Sequence, residues 1–223
     1  MEINEDISEK EYKSAYIRNT AFDTAQKALE GKKYRIISLR ENAILRINQK
    51  DSDVSRTGNL VRVGVIFVPK DGIYFTKNSP LLISAEEVVN AYRDNKEYYL
   101  SENQLEKALE KENSIKVSSN ESEIIPTNRF GEEELTTWAF GPIAKKYGEF
   151  LKEAGVSKMP VRLILIGRTE IPPSITLKDF LDRQDKPCAN QLYFCGILLE
   201  STLSNKGFLL GPRLHVRGIS GKI

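Results

Sequence analysis

Along the chain, apolar residues recur with two different periods. Near the N-terminus, Tyr12, Ala15, Tyr16 and Phe22 fall at helical spacing behind Ser8 and Glu11, a Ser-x-x-Glu pair of the capping-box kind, and Gly31 follows as a stop. This pattern predicts a helix from Glu9 to Glu30. A second helical pattern runs from Gly131 to Ala154, with Trp138, Ile143, Tyr147, Phe150 and Leu151 on one face. Gly141-Pro142 lies inside it and predicts a kink or a break, because proline donates no amide hydrogen bond and crowds the preceding turn. Shorter helices are expected behind Ser84 with Glu87 (Ala85 to Glu97), behind Ser101 with Gln104 (Glu102 to Glu112), and from Leu177 to Arg183.

The other period is that of strands. Val61 to Val68 and Ile73 to Lys77 flank Pro69-Lys70-Asp71-Gly72, and this is the clearest hairpin in the chain: the proline fixes one φ and the glycine admits a positive one. Tyr34 to Leu39, Ala43 to Asn48 and Leu81 to Ile83 read as short strands, and Gln49 to Asn59 as a polar loop. Val161 to Gly167 and Gln191 to Leu199 are near-continuous apolar runs, the mark of strands buried on both faces. Phe208 to Leu210 and Arg213 to Val216 complete the set. Strands joined by short turns and helices arriving in groups define an α+β fold, a largely antiparallel sheet with two long helices packed on it. The chain reads as a single domain, 1–223. If it divides, the place is the Ser-, Asn- and Glu-rich segment 113–128, a polar loop between halves 1–112 and 129–223.

Composition narrows the picture. In 223 residues, 40% are hydrophobic and 29% charged, which supports a packed core and excludes a disordered chain. The two cysteines, Cys188 and Cys195, are expected to be free core thiols. The acidic start of the chain carries neither a secretory nor a transit pattern, and no apolar run approaches the ~20 residues that span a bilayer. The expectation is a cytoplasmic chain with no membrane partner.

No motif announces a reaction. There is no phosphate-binding Gly-x-x-x-x-Gly-Lys loop and no dinucleotide Gly-x-Gly-x-x-Gly. His215 is the one histidine, and the six-residue gap between Cys188 and Cys195 does not match the usual short zinc knuckle. No catalytic residue, metal site or cofactor is assigned, and binding is favoured over catalysis.

Charge supplies the candidate surface. Net charge is only +2, but Lys32 to Lys50 carries +5 and Ser201 to Ile223 carries +4, against −4 from Glu97 to Glu123. Alternation around Leu214 and Val216 would place Arg213, His215 and Arg217 together on the opposite face of a strand, with Arg46 and Arg62 on neighbouring strands. Such a face would bind DNA or RNA through the phosphate backbone. The alternative is a protein-interaction or homo-oligomerising module without nucleic-acid binding. Its contact regions would be the acidic helix Glu102 to Glu112 and the kinked region around Trp138, since tryptophans are enriched at binding hot spots, although they are also common in cores.

Overall fold

The fold was analysed in a computed structural model, which describes residues 2–9, 11–117, 122–163, 177–205 and 215–223. In chain order its elements are β1 (Asn4–Ser8), β2 (Tyr12–Arg18), α1 (Phe22–Gly31), β3 (Arg35–Ile36), α2 (Leu39–Asn48), α3 (Asp53–Arg56), β4 (Asn59–Val68), β5 (Gly72–Thr76), α4 (Ala85–Arg93), α5 (Glu102–Ala108), β6 (Ser114–Val117), β7 (Ser122–Pro126), α6 (Glu134–Phe140), α7 (Ala144–Glu153), β8 (Lys158–Arg162), α8 (Leu177–Arg183), β9 (Cys188–Phe194), β10 (Leu203–Ser204) and β11 (His215–Gly221).

The strands form one sheet ordered β1-β2-β11-β4-β9-β10-β8-β7, with β3 on β11 and β5 and β6 branching from β4. The sheet is mixed. β11 runs parallel to β4 and β10 parallel to β8, whereas the remaining pairings are antiparallel. This corrects the expectation of a largely antiparallel sheet. The expectation of two long helices also fails: among the described residues the longest helices span 10 residues, and several short ones share the work.

Both faces of the sheet are covered. Val61, Val63, Val65 and Phe67 of β4 enter one core with Leu39, Leu45, Phe140 and Tyr147, while Leu60 and Ile66 enter a second with Phe22, Leu29 and Val88. Alternate residues of the central strands are therefore both buried, as in strands sandwiched between helical layers.

The departures from expectation have local causes. The Glu9–Glu30 helix is replaced by β2 and α1. Residues 12–18 pair with β1 and β11, so their partners outweigh a cap signal. Helix α1 keeps the later part of the stripe, burying Phe22, Ala25 and Leu29. The strand expected at Ala43 to Asn48 is α2, opened by a full capping box between Ser38 and Glu41. Gly141, at φ 58°, and Pro142 break the second long helix into α6 and α7 as the sequence requires. The segment expected as a polar loop carries β6 and β7. The 61–77 hairpin and the Ser101–Gln104 capping box stand where the pattern puts them. Among the described residues no helix is long and apolar enough to cross a membrane.

Candidate interaction groove

β4 changes partners along one edge. Leu60 lies opposite Val216 of β11, and from Gly64 onward the strand pairs with β5. On its other edge the register with β9 slips between Leu60 and Gly64, leaving Val61, Arg62 and Val63 opposite Leu192 alone. This bulge turns Arg62 out to solvent in a strand otherwise almost wholly buried.

A buried amide holds the bulge in shape. Gln191 Nε2 donates to the carbonyl of Val61 and, at 3.1 Å, to that of Val63, while its Oε1 accepts from Ser79 Oγ at 2.9 Å. The Arg62 amide donates to the Ile37 carbonyl at 2.8 Å. No polar group of this network is wasted, as burial demands.

Arg62 enters two adjoining hollows of about 390 and 360 Å³ that share Arg62, Lys77 and Asn78. One wall carries Ile83, 87% exposed, and Lys107 of α5; the other carries Arg40 of α2 and Trp138 of α6. Lys77 Nζ sits 4.8 Å from the centre of the half-buried Trp138 ring, a cation–π approach. Asn78 spans towards α5, donating to Glu110 at 3.2 Å. The groove thus gathers four cations, Arg40, Arg62, Lys77 and Lys107, against Glu110 as the acid in its lining. Among the described residues none of the four is in an ion pair.

The residues expected to form a basic sheet face do not form one. Arg46 is fully buried on α2: its guanidinium stacks 3.9 Å over Phe194 and donates to Val54, Tyr147, Ser201 and Phe194. Arg217 is fully buried too, with two 2.8 Å contacts to the Asp6 carboxylate, one of 2.9 Å to Ser14 and one of 3.1 Å to Asp53. β11 lies between β2 and β4 with cores on both sides, so the face opposite Val216 is interior and an arginine there needs internal partners. His215 is mostly buried and stacks on Tyr16, with centroids 5.5 Å apart, and its Nδ1 lies 3.8 Å from Asp53 Oδ2. That imidazole, together with Arg217, holds the Asp53 carboxyl below its ordinary range. Burial pushes the Asp6 carboxyl above its own, against the pull of Arg217. Arg213 lies outside the described residues. Of the five, Arg62 alone is seen to reach the groove.

Sequence reasoning reached parts of this groove by another path, since the regions around Trp138 and residues 102–112 border it. Arg40, Lys77 and Ile83 were not singled out, because they belong to three separate segments joined only by the fold. Among the described residues no three His, Cys, Asp or Glu side chains gather as a metal site would require. Cys188, which is buried, and Cys195, which is partly so, form no disulfide.

No protein-family model matches the chain, and no curated protein does. One solved structure is similar over 97% of this chain and 100% of its own, at 16% identity and a TM-score of 0.60; it is described as showing accommodation of massive sequence variation in Nanoarchaeota by the C-type lectin fold. At that identity the likeness shows the fold alone, a mixed α/β architecture of C-type lectin kind. The phosphate-backbone reading of the basic strands is overturned by that fold, and the interaction-module alternative fits it better.

Proposed function

We propose that this chain is a non-catalytic recognition module that binds a protein partner through the groove around Arg62. The observation that carries the reading is the bulge in β4. A buried strand is interrupted, and a buried amide is committed to holding the interruption, so that one arginine emerges beside a half-buried tryptophan in a cleft. A cleft of this kind suits an inserted chain segment, with an aromatic anchor and flanking charges. The described neighbour supports the reading to the extent that its fold accommodates massive sequence variation, as a scaffold with a replaceable surface would.

The test is a selection of displayed protein fragments against the whole chain, repeated on Arg62→Glu and Lys107→Glu. Enriched fragments should bind the wild type and lose at least about tenfold in affinity on Arg62→Glu, the size of effect expected from reversing one charge at an interface centre. Fragments that bind both variants unchanged would place recognition elsewhere. Binding confined to a glycan array, with no fragment enriched, would replace the protein partner by a carbohydrate.

A further inference from the structure

We infer that the segment taken by this groove is acidic and carries an apolar residue: carboxylates for Arg40, Arg62, Lys77 and Lys107, and an apolar side chain for the surface made by Ile83 and Trp138. The inference rests on the proposed protein-binding reading and adds the chemistry of the partner.

The charge arrangement points this way. Elsewhere on the surface, some exposed cations pair with carboxylates of the chain (Lys27 with Glu86, Lys50 with Glu153, Lys116 with Asp71, Arg129 with Glu133), and others, such as Lys145 and Lys146, stand in open solvent. In the groove, four cations from four elements or their flanks face one cleft with no such partner among the described residues. Glu110 is engaged by Asn78 and Asn113, at 3.2 and 3.1 Å. A cleft of like charges repels itself and focuses a positive field, which an incoming carboxylate relieves. Arg62 is held by its backbone at the floor, free to take a carboxylate with both guanidinium edges. The apolar share favours a protein segment over a polyanion without side chains. Ile83 is 87% exposed at the rim, and Trp138 offers a half-buried ring whose Nε1–H has no partner among the described residues.

Trp138 is the one tryptophan of the chain, so its emission reports on the groove directly. The experiment titrates the intact protein with four probes: a ten-residue peptide of alternating glutamate and leucine, the same peptide with glutamine for glutamate, the same with serine for leucine, and a single-stranded oligonucleotide of equal charge. The Glu/Leu peptide should shift Trp138 emission, and its affinity should fall by about tenfold as salt rises from tens to hundreds of millimolar. Both altered peptides should bind at least about tenfold more weakly, as should the Glu/Leu peptide to Arg62→Ala and to Lys107→Ala. Both residues are exposed, so each variant should keep the wild-type Tm. If the glutamine peptide binds as well as the glutamate one, the acidic partner is wrong while the recognition groove stands. If the oligonucleotide alone moves Trp138, or no probe does, the inference is overturned; the fragment selection still judges the groove itself.

Discussion

At the scale of single residues, two buried polar side chains determine what the surface can do. Gln191 satisfies two β4 carbonyls and the Ser79 hydroxyl from one amide. Gln191→Leu keeps the size and strands all three, each unmet group costing about 1–3 kcal/mol. Chemical denaturation should show a loss of about 3 kcal/mol or more, with faster amide exchange at residues 61–63. A loss below about 1 kcal/mol would mean that the backbone relaxes into an ordinary ladder and the bulge is not held by this side chain. Arg46 is the second case, a guanidinium with four acceptors and an aromatic face, and no carboxylate among its recorded partners. Its stability comes from a planar fork that meets separated acceptors at once, which an ammonium cannot copy. Arg46→Lys should therefore destabilise the protein by about 3 kcal/mol, close to what a neutral replacement does; a near-neutral lysine variant would refute the fork argument. Neither role is legible in sequence. Arg46 and Arg62 look alike there, in similar alternation, and only their positions in the fold make one a core residue and the other a groove residue.

At the scale of elements, the clearest signals were those in which local chemistry suffices. The Pro69–Gly72 turn, the Gly141-Pro142 break and the Ser101–Gln104 box each act within a few residues, and each is where the sequence places it. α2 carries an equally complete box at Ser38 and Glu41, yet its residues suggest strands. Leu39, Asn42, Ala43 and Arg46 form its buried face at helical spacing, but two of the four are polar, so the apolar residues alone trace no helical stripe. β2 fails in the opposite sense: its apolar spacing imitates a helix, and pairing with β1 and β11 decides otherwise. The groove was hidden for the same reason, because its walls come from separate segments brought together by long-range pairing. α5 tests how far a cap matters. The helix has 7 residues, below the length at which a helix stands alone, so it depends on its box and its docking. Ser101→Ala should lower stability by about 1 kcal/mol and raise hydrogen exchange chiefly across residues 102–108. Exchange rising evenly over the whole chain would show that the cap acts on the global fold.

At the scale of the whole molecule, the two ends of the described chain are locked together at the centre of the sheet. β11, the last strand, pairs with β2, β3 and β4, and its Arg217 reaches Asp6 of β1 and Asp53 of α3. One buried cation therefore joins segments 211 and 164 residues away, at contacts of 2.8 and 3.1 Å. The acid response of this centre has two opposed parts. Asp53 is held low by His215 and Arg217, so its contribution is present above the unfolded carboxylate pKa of about 3.9 and is lost as pH falls through its lower folded value. Asp6 is raised by burial, so the folded state takes up its proton first, and stability is gained as pH falls through that raised value. In the wild type the first effect of acid, above about pH 4, is the Asp6 gain; the Asp53 loss follows below it. Arg217→Met removes the cation and leaves two carboxylates facing a buried apolar side chain. At neutral pH this should cost about 3–5 kcal/mol, the penalty of an uncompensated buried charge. Without the cation both carboxyls move up; Asp6, already raised by burial, then favours the folded state more strongly on protonation, while Asp53 keeps the His215 contact that holds it down. Urea unfolding between about pH 7 and 4.5 should show the variant recovering part of its deficit, with a larger gain on acidification than the wild type shows. Asp6→Asn in the same background should shrink that recovery, since one of the two titrating groups is gone. A variant whose deficit is constant, or grows, as pH falls would show that Arg217 acts by packing alone and that the two aspartates titrate independently of it.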